Sequence, residues 1–491
     1  MKKFVLPLIV FVATVVLWSC IDLKEGEVLP EEETVEAQFT TPIVPVGPRG
    51  IENAITVGKS GRCDYTTIAS AIAAASSGDV VFVYPGDYAE TIAMASGVDV
   101  WGMNTESVSV GMVTGLTDTA IMVTMADDCV LGNLTVKGKL QLMESGKYIE
   151  GIGIPATMDD ASCTLTNVHV ELAGQTVAVY SLRNLGDSVH IYMDNCDFYD
   201  TNSSPTAAQN FVSYGIYTTG ETATYYVTNS KFNSIGTCFY PSRYSEAVFK
   251  NCEFLSSQIC FSSNAADYEC FVFDSKIKAK PIDTTLSSTY NVRPVGGSAQ
   301  ETSYVTYKNC EIILDLSGED TEILNTTQYA VHCDECHTIV DGCSIYVYGA
   351  DEITSVGMEQ KPGGSPATIE AVYLLNSYIY LDGVGTQYSL FYDAPNAGHN
   401  AGAFYIGNSV YDVDAVNRTD GDTEYRHIGS GNFADTVTFS NSNAPDTTAI
   451  VYLDVDNDVW ILDTQADTRD IQTMWWLAVE QMLVMMMKGR D

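Results

Sequence analysis

Basic residues are scarce in this chain of 491 residues: 24 Lys and Arg stand against 63 Asp and Glu, a formal charge of −39. That imbalance excludes nucleic acid and anionic surfaces as partners. It fits a solvated extracellular protein, in salty water where self-repulsion is screened, and leaves a cationic partner or Ca²⁺ open. A long membrane-crossing run is also lacking at the start. The apolar stretch after Met1-Lys2-Lys3 ends at Leu17, short of the roughly 20 residues a spanning helix needs. A basic start, an apolar middle and the sequence Leu17-Trp18-Ser19-Cys20 read instead as a secretion signal over 1–19. Residues 20–50 hold Asp22, Glu25, Glu27 and Glu31–Glu33 among prolines with no apolar period, the composition of a disordered tether.

What the chain does have is a repeat. Ten segments fit one template: apolar, any, Asn/Asp/Gly, small, any, apolar. Their centres are Asn133, Asn167, Asn195, Asn229, Asn251, Asp274, Asn309, Gly342, Asn376 and Asn408, with successive gaps of 34, 28, 34, 22, 23, 35, 33, 34 and 32 residues. Self-similarity at that period means a stacked architecture.

Each column of the template has a physical reading. Asn, Asp and Gly tolerate a left-handed backbone at low cost, so each centre predicts a one-residue bend between two short strands. Two residues before it the chain is always apolar, from Leu131 to Ile406, and three after it β-branched or aromatic, from Val136 to Tyr411. The residue just after the centre is small in most repeats (Cys196, Ser230, Cys252, Ser275, Cys310, Cys343, Ser377, Ser409). Positions +1 and +3 share an interior because strand side chains alternate. At +2, Asp197, Lys231, Glu253, Lys276 and Glu311 alternate in sign, as an in-register parallel stack would place them. The fold class is therefore all-β, a parallel β-helix made right-handed by connection rules, over 51–415 with final coils or a small β region at 416–469. Unequal gaps put excursions at 201–212, 281–302 and 351–369, where function usually resides.

Residues 55–92 predict an end cap. Thr66 or Thr67 N-caps a short helix with Ile68, Ile72 and Ala75 on one side, Ser77-Gly78-Asp79 ends it, and Val80–Tyr84 is a buried strand before the Pro85-Gly86 turn. The run Asp64-Tyr65-Thr66-Thr67-Ile68, Gly78-Asp79, Pro85-Gly86, Tyr88 and Glu90 resembles the N-terminal cap of the pectin-lyase-like right-handed β-helix superfamily, and most of all that of pectin methylesterases. The resemblance implies the fold and a polysaccharide setting. The catalytic motifs of pectin methylesterases, polygalacturonases and pectate lyases are absent; Gln175-Thr176, Gly398-His399-Asn400 and Asp127-Asp128 are isolated fragments. The leader resembles a bacterial lipoprotein signal, with Trp18 where a small residue is usual, and that resemblance makes Cys20 the lipid-bearing residue and an outer-membrane lipid anchor the attachment. An ordinary signal peptide and an uncleaved anchor are the alternatives.

Remaining motifs carry less chemistry. Thirteen cysteines in an exported chain suggest disulfides, yet Cys196, Cys252, Cys310 and Cys343 fall in the inward small column, where Cys packs as a small apolar residue. Cys333-Asp334-Glu335-Cys336-His337 has the form of a haem attachment motif but coincides with the strand, turn and strand of one coil. Asp454, Asp456 and Asp458 are a candidate Ca²⁺ site; Val459 and Gln465 stand where an EF-hand needs Gly and Glu. No cofactor is otherwise called for. Residues 470–491 predict an apolar helix that plugs the open end. The leading reading is a secreted, surface-tethered, non-catalytic binding or structural module for an extracellular polysaccharide or surface glycan, with tyrosines such as Tyr240, Tyr244, Tyr346, Tyr348, Tyr378 and Tyr380 as contacts. A polysaccharide lyase, hydrolase or esterase with an unrecognised site, and a virion spike or fibre, stand as alternatives.

Overall fold

The structure, a computed structural model, describes residues 53–462 except 117, 141–146, 175–177, 201–212, 235, 263–267, 282–290, 299–302, 318–323, 335, 362–370, 393–402, 408, 410, 412–415, 419–424, 429–450 and 455–458. Cys20, the tether, Asn408, Asp456, Asp458 and the helix expected at 470–491 lie outside the described residues.

One coil shows the plan. Thr224–Thr228 is a strand, Asn229 a bend, Lys231–Ser234 a second strand and Thr237–Tyr240 a third. The next coil then begins at Glu246–Lys250, laid parallel on the first strand. Repetition builds a 23-stranded sheet, folded along the line of bends into a first and a second face, and a 12-stranded third sheet. This is a right-handed parallel β-helix. Stacking pairs continue as far as Val416–Arg418 on the third sheet and Tyr425–Ile428 on the first face. Val451–Asp454 and Val459–Leu462 form a separate antiparallel hairpin. Among the described residues no helix is long and apolar enough to cross a membrane.

The bends are left-handed at every described centre: φ is 59° at Asn133, 51° at Asn195 and Asn229, 49° at Asp274, 64° at Gly342 and 48° at Asn376. The centre's own N–H still reaches a backbone carbonyl of the next coil, as Asn229 does to Lys250 at 3.0 Å, and the side chains of successive centres bond to one another. The amide Nδ2 of one coil donates to Oδ1 of the coil before: Asn195 to Asn167 at 3.0 Å, Asn251 to Asn229 at 2.7 Å and Asn309 to Asp274 at 3.3 Å. Gly342 has no side chain, and a Cβ there would stand 2.6 Å from Asn309 Oδ1. Asn376 bridges the gap by donating to Asp341 Oδ1 at 2.8 Å.

The small column does more than save space. The backbone N–H of Cys196 donates to Ser230 Oγ (3.0 Å), that of Cys252 to Ser275 Oγ (2.9 Å), that of Cys310 to Cys343 Sγ (3.3 Å), that of Cys343 to Ser377 Oγ (2.9 Å) and that of Ser377 to Ser409 Oγ (3.1 Å). Ser230, Ser275, Cys343 and Ser377 each donate in turn to the carbonyl two residues back in their own coil, as Ser275 does to Phe273 at 2.6 Å, while Ser409 donates to Leu374 of the coil before at 3.0 Å. Cysteine is thus a hydrogen-bonding substitute for serine here as well as a packing residue. The twelve described cysteines are all free thiols.

Inside, like stacks on like. Val136, Val170, Phe198, Phe232, Phe254, Ile277, Ile312, Ile345 and Ile379 follow one another in register. Phe232 meets Phe198 at 5.1 Å and Phe254 at 5.0 Å between ring centroids. On the third sheet a second device appears. Registers skip one small inward residue per coil, among them Gly151, Ser181, Gly215, Cys238, Gly357 and Ser389. This places two successive residues inward at the same point of neighbouring strands. At Gly215 a Cβ would lie 2.5 Å from the carbonyl oxygen of Cys238 on the next coil.

The cap motif is structural. Helix Ile68–Ala74 is capped by Thr67, whose side chain accepts from Ser70 N–H. Glu90 accepts from the N–H groups of Ile68 (2.9 Å) and Ala69 (3.1 Å), and Asp64 from Thr56 N–H (2.8 Å). Buried Tyr88 donates to the carbonyl of Tyr84 at 2.8 Å. The residues that carry the family resemblance are spent on closing the end of the stack.

Two outcomes follow from these contacts. Replacing Ser275 by Ala leaves the buried Cys252 N–H without its acceptor and costs about 1–3 kcal/mol in urea unfolding, whereas Ser275→Cys retains most of that stability. Glu246 and Glu269 sit in register on the first face, and burial pushes both carboxyls up, Glu246 further raised by the charge of Glu269. Folded-state values above the unfolded one mean stability that is full below about pH 4.5 and lost as pH rises through the raised value. Glu246→Gln therefore raises the unfolding midpoint at pH 7 and leaves it unchanged at pH 4.

Candidate functional site

The long insertions bracket the third sheet. Residues 201–212 and 282–290 precede its strands Ser213–Thr218 and Arg293–Ser298, and 362–370 and 393–402 follow Thr354–Lys361 and Thr386–Tyr392. The excursions expected at 281–302 and 351–369 thus each contain a third-sheet strand, which insertions of unequal length hide from a fixed-period reading.

Two charged clusters stand on the outer side of this sheet, and neither was visible in the sequence. Glu150 accepts from Arg183 Nη1 at 2.8 Å, and the guanidinium lies over the rings of Tyr148 (4.8 Å) and Tyr180 (5.1 Å). Burial raises the Glu150 carboxyl, opposed by Arg183. Further along, Arg293 lies 5.0 Å over Tyr329, Tyr329 stacks 4.9 Å from His332, and His332 Nδ1 contacts Glu359 Oε2 on the next coil. His332 is 6% exposed and Glu359 wholly buried. Burial, then the charges of Arg293 and Lys361, hold His332 well below the usual imidazole range. Burial thus disfavours the imidazolium, and the contact joins an uncharged imidazole to the buried Glu359 side chain. Tyr180, Tyr214, Tyr217 and Tyr240 complete this side; Tyr180 stacks on Tyr214 (5.4 Å, 6°) and Tyr217 on Tyr240 (5.3 Å, 21°). Their faces cover one another, so Tyr240 is a half-buried stacking residue.

The second face is different: it is open. The charged column is in register from Asp197 through Lys231, Glu253 and Lys276 to Glu311. Lys231 meets Glu253 at 3.5 Å and Lys276 meets Glu311 at 3.0 Å. These side chains and the ladder residues Asn229, Asn251, Asp274 and Asn309 line a surface groove of about 590 Å³. Beyond Glu311 the same column continues with Ser344 and Tyr378. Two coils beyond Glu311, that column enters a tyrosine platform. Tyr346 contacts the Tyr378 hydroxyl and lies 5.5 Å from that ring and 6.2 Å from Tyr380. Tyr378 is 36% and Tyr380 47% exposed. Tyr348 lies parallel to Tyr346 at 6.5 Å, and Tyr244 sits apart in an exposed left-handed turn with φ 54°.

Other sequence candidates do not join either site. Cys333 and Cys336 are both buried at the corner between the third sheet and the first face. Asp454 ends a hairpin strand. Among the described residues no group of three or more His, Cys, Asp or Glu is placed to hold a metal ion.

No protein-family profile matches the chain, and no curated protein sequence does. Solved structures similar to it include a pectate lyase (TM-score 0.37, 11% identity, covering 70% of this chain and 79% of that one). The A-module of a mannuronan C-5 epimerase of Azotobacter vinelandii gives a TM-score of 0.38 at 10% identity, covering 77% and 94%. A family 28 exopolygalacturonase of Yersinia enterocolitica gives 0.33 at 11% identity, covering 73% of each chain.

The His332–Glu359 contact makes a stability prediction. His332→Ala leaves the buried Glu359 side chain without this partner and costs about 1–3 kcal/mol, whereas His332→Leu combined with Glu359→Met restores near-native stability. Chemical unfolding of the two variants checks it.

Proposed function

We propose that the protein is a glycan-binding β-helix displayed at the cell surface, non-catalytic in its principal role. One observation carries this reading: exposed Tyr378 stands on the same register column as the charged pairs that line the accessible groove, with exposed Tyr380 beside it, while the third-sheet carboxyl groups of Glu150 and Glu359 are buried. Sugar recognition needs aromatic rings for the apolar side of a pyranose and paired donors and acceptors for its hydroxyls. A rigid stack supplies both without ordering cost at binding. The secretion signal, Cys20 as lipid-bearing residue and the acidic tether support display at an outer membrane, with the charge of −39 keeping the stack off anionic lipid.

A second reading has its own support. Glu359 Oε1 is buried without a hydrogen-bond partner beside His332, and a catalytic acid or base is one of the roles that leaves a buried polar atom unpaired.

Affinity electrophoresis through gels containing soluble polysaccharides separates the two. Tyr378→Ala and Tyr380→Ala each weaken retention about tenfold, or about 1.4 kcal/mol, with no product formed. Release of reducing or unsaturated sugar that Glu359→Gln abolishes and Tyr380→Ala spares selects the enzyme instead.

A further inference from the structure

We infer that the ligand of this groove is an uncharged polysaccharide that lies parallel to the helix axis, one sugar ring per coil; this rests on the binding reading above.

The direction follows from register. Lys231, Glu253, Lys276, Glu311, Ser344 and Tyr378 are consecutive Cα partners, so the track offers one side chain per coil. Successive rungs lie about 4.8 Å apart, the spacing of paired strands. A pyranose in an extended chain advances by nearly the same length. Polymer and protein are therefore commensurate along the axis, and a chain crossing the helix would meet only one rung.

The charge class follows from pairing. The lysines of the track are committed to carboxylates one coil on, at 3.5 Å and 3.0 Å. All four side chains keep substantial exposure, 65% and 51% for the first pair and 42% and 44% for the second. An ammonium has three donors and a carboxylate about four acceptor sites, so each pair keeps unused capacity of both kinds. That suits hydroxyl groups, which donate and accept. It does not suit a polyanion, which meets lysines already neutralised and the field of a chain at −39. A polycation meets lysines on alternate rungs.

Titration calorimetry of the full chain with cello-, manno- and xylo-oligosaccharides of increasing length, with polygalacturonate and with chitosan, tests this. Affinity for at least one neutral series rises from dimer to hexamer and then levels off, and it changes less than about twofold between about 50 and about 500 mM NaCl. Lys276→Ala with Glu311→Ala lowers it about tenfold. Binding of polygalacturonate or chitosan that collapses with salt, or neutral affinity complete at the dimer, overturns the inference. If such charged binding is lost in Tyr380→Ala, the groove is still a glycan site and only its ligand class is wrong; if no glycan binds, the binding reading itself fails.

Discussion

The left-handed bend at each ladder centre is the constraint on which the rest of the molecule depends. It turns the chain between two strands in a single residue, and so takes the buried N–H that follows it out of the backbone ladder. Each coil must then borrow partners from its neighbours. Asparagine amides supply one line of hydrogen bonds and serine or cysteine side chains the other. Once both lines run, register is fixed, and columns of like residues follow: phenylalanine on phenylalanine inside, lysine against glutamate outside.

That logic explains why the first and second faces were legible in the sequence and the third was not. The bend has one length and needs one of three residue types, so Asn133 through Asn376 stand out at a glance. The third sheet has no such requirement. Its defining position takes glycine, serine, cysteine or alanine, because all that matters is smallness beside the next coil's carbonyl. Insertions on both sides also shift its strands against any fixed period. Glu150 and Arg183 are 33 residues apart and His332 and Glu359 are 27 apart, distances that mean nothing until the coils are counted. The tyrosine platform was legible in part, since Tyr346, Tyr348, Tyr378 and Tyr380 alternate along two strands, but which rings face each other and which face water is a matter of packing.

The two faces divide labour along physical lines. The third sheet packs the charges and rings of its outer side against each other. The second face spends its charges in exposed pairs that contribute little to stability and remain available to a ligand. Residues that mark the family resemblance, Asp64, Tyr88 and Glu90, serve neither face: they hold the helical lid on the first coil.

The serine and cysteine line also gives the stack an arrow. Every recorded link runs from an N–H in one coil to an oxygen or sulfur in the following one, from Cys196 to Ser230 and so on to Ser409. Along this line a coil is completed by its successor, while along the asparagine line it donates to its predecessor. During synthesis the newest coil always holds one open donor at the growing end, and adding the next closes it. Along this line erosion has the same polarity: loss of a coil from the C-terminal side uncovers a donor, whereas loss from the N-terminal side uncovers an acceptor.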